Sequence, residues 1–163
     1  MKGLIVYDSA YGNTGQIAQA VGNNTGSHID VNVLNVREFR PDQITGIDLL
    51  IIGSPTQRFQ ATPAISNMLK EIRQNSLKGV MVTAFDTRFT IREIKKTPVL
   101  SFFVRLSGDS AYAATHIVKQ LTKNGGQLVV PPEGFYVEGT EGPLVQGELD
   151  RAADWAKNIS RKI

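Results

Sequence analysis

The sequence predicts a doubly wound α/β domain, in which helices cover both faces of a parallel β-sheet. Strand-like and helix-like segments alternate about five times along the 163 residues. Short apolar runs that end in turn residues are typical of strands buried on both faces, and the other segments have apolar residues at helical spacing. Such alternation favours a parallel sheet with right-handed crossovers.

The first half of the chain contains three predicted strands and two predicted helices. The strands are Gly3–Tyr7, the alternating segment 29–34 and Leu49–Gly53. One helix begins at Thr14 and ends in a turn rich in Asn and Gly. The other helix has Pro63 in its first turn, where helices accept proline.

The second half contains two more strands and two more helices. Gly79–Phe85 is the fourth strand, and a helix follows at Tyr112–Lys123. The fifth strand, 127–130, is broken by two prolines before extended structure resumes at Gly134. A closing helix spans Glu148–Ile163 and places its Trp in the core or against another helix.

The segment 86–110 is too long for an ordinary connection. We therefore expect one domain, 1–163, with an extended loop insertion at about 86–110. In the simpler interpretation, its apolar run Val99–Val104 packs on the sheet edge. The alternative is a docking surface for an acidic redox partner, a quinone-bearing membrane surface or a second subunit.

The composition excludes several classes of protein. The absence of Cys excludes disulfide scaffolds, iron–sulfur clusters and thiol nucleophiles, and two distant His residues make a multi-His metal site improbable. Redox chemistry would need an organic cofactor. Scattered basic residues and a net charge of +3 do not indicate a nucleic-acid binder. Because no apolar run approaches the roughly 20 residues of a membrane span and no signal peptide is evident, we expect a cytoplasmic protein.

Two loops at the carboxyl ends of predicted strands are candidate ligand sites, since ligands bind at this edge in doubly wound folds. The loop 8–14 opens directly into a helix, and its backbone N–H groups favour an anion such as phosphate. An ordinary capped turn fits the local spacing equally well. Because this loop contains no Lys or Arg, a cradle here would hold a phosphate without transferring it. The loop 53–60 has the same strand-to-helix context.

Taken together, the two loops resemble those of the flavodoxin family. The resemblance rests on Ser9-x-Tyr11-Gly12-Asn13-Thr14 and on Gly53-Ser54-Pro55-Thr56, and strand spacing extends it over most of the chain. It implies a flavodoxin-like sheet of five strands in the order 2-1-3-4-5 and a non-covalent FMN. The implied phosphate-side residues are Ser9, Ala10, Tyr11, Gly12, Asn13 and Thr14. The implied ring-side residues are Pro55, Thr56, Gln57, Arg58 and Phe59, together with Ala84, Phe85, Asp86, Thr87 and Arg88.

The flavin ring needs flat apolar partners, and the available aromatic residues are Tyr11, Phe59, Phe85 and Phe89. A neighbouring cation such as Arg58 or Arg88 would favour reduction.

The resemblance implies an electron-transfer flavoprotein that shuttles electrons between a reductase and an acceptor. No catalytic side chain, metal ligand or stable membrane insertion is expected, and the protein would be a monomer or weak homodimer. Two alternatives remain at this point. One is an FMN-dependent NAD(P)H:quinone or protoporphyrinogen-type oxidoreductase, and the other is an interaction module that has lost FMN.

Overall fold

The computed structural model describes the backbone of residues 1–163 and all side chains except those of residues 100, 103, 107, 109 and 110. The strands are β1 (Lys2–Tyr7), β2 (Asp30–Asn35), β3 (Leu49–Pro55), β4 (Met81–Phe89), β5 (Gln127–Leu128) and β6 (Glu133–Val137). The α-helices are α1 (Asn13–Asn24), α2 (Pro63–Glu71), α3 (Ile91–Lys95), α4 (Pro98–Ser107), α5 (Ala113–Lys123) and α6 (Glu148–Lys162). Short 3₁₀ helices span Val36–Glu38, Pro41–Ile44 and Gly108–Ala111.

The strands form one parallel sheet in the order β2-β1-β3-β4, and β5 and β6 share the remaining edge of β4. β5 pairs with the beginning of β4 and β6 with its end, from Phe85 to Phe89. The predicted order 2-1-3-4-5 is confirmed, with the fifth position divided in two. The break contains Pro131 and Pro132, which have no N–H group for the strand ladder.

Side chains alternate along the strands and build a separate hydrophobic cluster on each face of the sheet. On one face, Leu50 and Ile52 of β3 pack with apolar residues of α2 and α5. On the other face, Leu49 and Ile51 pack with α1 and α6. The second cluster includes Trp155, whose ring lies 6.1 Å from those of Phe85 and Phe135. As predicted, Trp155 is a core residue.

The expectation of an extended loop at about 86–110 is wrong. β4 continues to Phe89 because β3 pairs with it as far as Thr87 and β6 as far as Phe89. Beyond it, α3 begins after Thr90, whose hydroxyl accepts a hydrogen bond from the Glu93 N–H, and α4 begins at Pro98. We call the segment 91–107, which contains α3 and α4, the helical arm.

Candidate functional site

A cavity of about 220 Å³ lies at the carboxyl ends of β1, β3, β4 and β6. Parallel strands end at one edge of the sheet, so the loops that follow them meet there. Four segments form the walls: the loop after β1, the loop after β3, the end of β4 and the loop after β6. The lining residues are Ser9, Ala10, Tyr11, Asn13, Thr14, Pro55, Thr56, Gln57, Arg58, Thr87, Arg88, Phe89, Val137 and Thr140.

The loop after β1 presents free backbone donors to a ligand. Within the part of the chain that the structure describes, the N–H groups of residues 10–14 have no hydrogen-bond partner. Gly12 has a φ of 88°, which turns the chain into α1. The Ser9 Oγ accepts a bond of 3.3 Å from the Gly15 N–H in the first turn of α1. The unpartnered N–H groups and the positive end of the α1 dipole together favour an anion.

Two side chains of this loop are held by distant segments. The hydroxyls of Thr14 and Thr87 lie 2.9 Å apart, and both residues are buried. Because only one of these hydroxyls donates to the other, the proton of the second can bind a ligand. The Asn13 amide donates to the Glu141 carbonyl at 3.0 Å and anchors the loop after β6.

The loop after β3 is a tight hairpin. Gln57 and Gln60 exchange two backbone hydrogen bonds of 2.9 Å. Between them, Arg58 and Phe59 have φ values of 48° and 66°, the left-handed region that type I′ turns require at both central positions. Neither residue is Gly, so the turn carries backbone strain. The hairpin is tied to β4 by a bond of 2.9 Å from the Thr56 N–H to the Thr87 carbonyl.

A buried ion pair lies beside the cavity. The Arg88 guanidinium donates two hydrogen bonds to the fully buried Asp86 carboxylate, at 2.5 and 2.8 Å, and lies 3.6 Å from the centroid of the Tyr112 ring. Burial raises the pKa of Asp86, and the hydrogen bonds and charge of Arg88 act in the opposite direction. Arg88 is therefore a cation fixed in the cavity wall.

The same ion pair connects the site to α5. The Ala114 N–H donates to Asp86, and the Ala113 N–H donates to the Thr56 hydroxyl, both at 2.9 Å. These are N–H groups of the first turn of α5, which lack partners inside the helix. The loop after β3 and the end of β4 thus cap the helix that follows the arm.

Most of the predicted site residues meet in the cavity wall. Gly12 and Phe59 lie beside it, Gly12 in the loop after β1 and Phe59 in a smaller cavity of about 80 Å³ beneath the helical arm. Ala84, Phe85 and Asp86, which were also expected beside the ring, do not line this cavity. Ala84 and Phe85 belong to the hydrophobic clusters on opposite faces of the sheet. Because β4 is longer than predicted, the residues at its end that line the cavity are Thr87–Phe89.

Two lining residues, Val137 and Thr140, were missed, and Phe89 was noted only as an available aromatic residue. Val137 is paired with Phe89 across the β4–β6 ladder. An alignment of β4 and β6 by their carboxyl ends would have placed Phe89 and Val137 at the site from the sequence alone.

The fold and the cavity define a doubly wound α/β protein with unpartnered N–H groups in the loop at the carboxyl end of its first strand. A family model for the flavodoxin domain matches residues 4–131. The chain belongs to the flavodoxin family, as predicted. Membership implies a flavin cofactor.

Solved structures agree on the fold. A flavodoxin from the domain Archaea is 20% identical over 99% of this chain and 98% of its own, with a TM-score of 0.75. Flavodoxin 2 from Bacillus cereus is 18% identical over 100% of both chains, with a TM-score of 0.77. Flavodoxin 1 from the same organism is 11% identical over 100% of this chain and 99% of its own, with a TM-score of 0.77. No curated protein sequence matches this chain significantly.

Two further features are absent from the described residues. No helix among them has the length and apolarity to cross a bilayer. No group of three or more His, Asp or Glu side chains among them could hold a metal ion.

Proposed function

We propose that this protein binds FMN non-covalently and carries electrons between a reductase and an acceptor in the cytoplasm. It would act as a single domain, either monomeric or weakly dimeric. The observation that carries the proposal is the run of unpartnered N–H groups at residues 10–14, which opens into a cavity at the sheet edge. Family membership supports a flavin as the ligand.

The residues present fit the two ends of FMN. The N–H groups of 10–14 and the free proton of the Thr14–Thr87 pair would bind the phosphate. Because no Lys or Arg lies in that loop, these neutral donors hold the phosphate without activating it. The hairpin 57–60 and the residues Thr87–Phe89 would flank the ring.

Bound FMN would supply the redox chemistry, since its ring takes up and releases electrons. Arg88 is held by Asp86 and Tyr112 and would favour the cofactor form that carries more negative charge. Phe89 and the half-exposed Tyr11 ring offer apolar surface in the same cavity.

The test is a comparison of FMN with riboflavin, which lacks the phosphate. We expect the double substitution Ser9→Ala and Thr14→Ala to weaken FMN binding by about a hundredfold or more, because each lost hydrogen bond to a charged group is worth about 1.5–3 kcal/mol. Riboflavin affinity should be unchanged. Fluorescence titration measures both dissociation constants.

The control variant is Thr45→Ala with Ser66→Ala, which removes two hydroxyls that do not line the cavity and should leave both affinities unchanged. Equal losses for FMN and riboflavin would disprove the phosphate assignment, and a protein that binds neither ligand would disprove the proposed function. Steady consumption of NAD(P)H by the FMN-loaded protein alone would identify an oxidoreductase instead of a carrier.

A further inference from the structure

The helical arm has an apolar face that points away from the domain. On α4, Val99, Phe102 and Leu106 are 66%, 63% and 72% exposed. Their spacing places them on one side of the helix, because residues three, four and seven apart share a helix face. Val104, on the opposite side of α4, lines the small cavity beneath the arm. In α3, Ile91 adds another side chain that is 61% exposed.

The arm also carries the net charge of the whole chain. It contains four exposed basic residues, Arg92, Lys95, Lys96 and Arg105, and one acidic residue, Glu93. Glu93 forms an ion pair of 2.6 Å with Lys96. Of the 18 basic and 15 acidic residues of the chain, 14 of each lie outside the arm, so the net charge of +3 belongs to the arm alone.

Exposed cations and an exposed apolar stripe in one segment are the features that bind a helix to an anionic lipid surface. We propose that the helical arm docks on the surface of an anionic phospholipid membrane, with Val99, Phe102 and Leu106 entering the headgroup region. The stripe projects outward, and a bilayer requires no matching groove, whereas a protein partner requires a complementary shape. A second copy would bring a second arm of charge +3 against the first, which is unfavourable.

Docking would place the cofactor cavity beside the membrane. The small cavity beneath the arm and the main cavity share Arg88 and Phe89 in their walls. The lipid-binding face lies on the outer side of the arm, so FMN does not contribute to it. Membrane binding is therefore independent of the proposed function, and we expect it with and without FMN.

The experiment is co-sedimentation of the full chain with vesicles of phosphatidylcholine mixed with phosphatidylglycerol, against vesicles of phosphatidylcholine alone, at physiological ionic strength. We expect binding to the anionic vesicles only. The triple substitution Val99→Ser, Phe102→Ser and Leu106→Ser should weaken it by about tenfold or more. A second variant, Arg92→Gln with Lys95→Gln and Arg105→Gln, should bind the two kinds of vesicle equally weakly, because it lacks the charges that attract phosphatidylglycerol.

The matched control is Leu128→Ser with Leu149→Ser, which removes two exposed apolar side chains outside the arm and should bind the vesicles like the wild type. Three results would overturn the proposal. They are no binding of the wild type to anionic vesicles, equal binding of the triple Ser variant, and a dimer of the wild type that the triple Ser variant abolishes. Far-UV circular dichroism of each variant verifies folding, and FMN titration of the wild type tests the proposed function separately.

Discussion

Arg88 neutralises the most deeply buried charge that the structure describes. Its side chain is 16% exposed and its partner Asp86 is fully buried. Removing one member of such a pair leaves the other charge without compensation, which typically costs about 3–5 kcal/mol. The cost depends on pH, because it is present only while Asp86 is ionised.

We predict that Arg88→Gln destabilises the protein more near neutral pH than in acid. The substitution removes contacts that lower the pKa of Asp86, so the folded-state pKa rises further above the ordinary value of 3.8. An acid whose pKa is higher in the folded state loses stability as the pH rises from the unfolded pKa through the folded pKa. The variant should therefore lose about 3–5 kcal/mol at about pH 7 and markedly less at about pH 4.

Urea unfolding at the two pH values measures this difference. Arg58→Gln is the matched control, because Arg58 lies in the same cavity wall but is exposed and forms no ion pair among the described residues. It should cost little at either pH. A loss of stability in Arg88→Gln that does not change with pH would show that Arg88 acts through its contact with Tyr112 and not through the charge of Asp86.

At the scale of single elements, the hairpin 57–60 is the most strained feature of the site. A left-handed conformation costs an L-residue roughly 1–2 kcal/mol, and least for Asn, which type I′ turns prefer at their first central position. We predict that Arg58→Asn stabilises the protein by up to about 1 kcal/mol. Arg58→Val should destabilise it by about 1–2 kcal/mol, because a β-branched side chain suits this region worst. Thermal unfolding measures both changes.

Asn32→Val is the control for this pair, since Asn32 is exposed in the edge strand β2. Valine favours strands, so this substitution should not destabilise the protein. If Asn and Val at position 58 gave equal stability, the turn would not have the left-handed backbone that the structure shows.

The elements that the sequence predicted well are those with local signals. Apolar runs such as Leu49–Gly53 identify buried strands directly. The hydroxyl-rich loop 9–14 indicates the edge of the sheet where the cavity lies, by its place between a strand and a helix. The end of β4 was missed because Asp86 and Arg88 are charged and look like loop residues. They are acceptable in a buried strand only because they neutralise each other. Their further contacts, from Asp86 to Ala114 and from Arg88 to Tyr112, form only in the folded domain.

The helical arm was missed for a related reason. Its start signals, Thr90 and Pro98, are both present in the sequence, but the apolar run near Phe102 indicated packing on the sheet edge. In the structure the stripe that contains Phe102 is exposed instead. The local sequence pattern determines that a helix forms here. Which face of that helix is exposed to solvent depends on how the helix packs in the folded domain.

At the scale of the whole molecule, both hydrophobic clusters depend on one sheet. β3 contributes alternate residues to each cluster, so loss of either layer of helices would expose apolar residues of a strand that both layers share. The cavity walls are joined to this core by the Thr14–Thr87 pair and by the bond from Ala114 to Asp86. These connections favour a single cooperative domain.

We predict that residues 1–163 unfold in one transition. Trp155 is the only Trp in the chain and reports on the α1–α6 side of the sheet, whereas far-UV circular dichroism reports on all helices. The two urea unfolding curves should coincide. With FMN at about 100 times its dissociation constant, both midpoints should shift together, because ligand binding then adds about 2.7 kcal/mol to the free energy of unfolding. Separate transitions for the two probes, or an FMN shift in only one, would show that the two helical layers unfold independently.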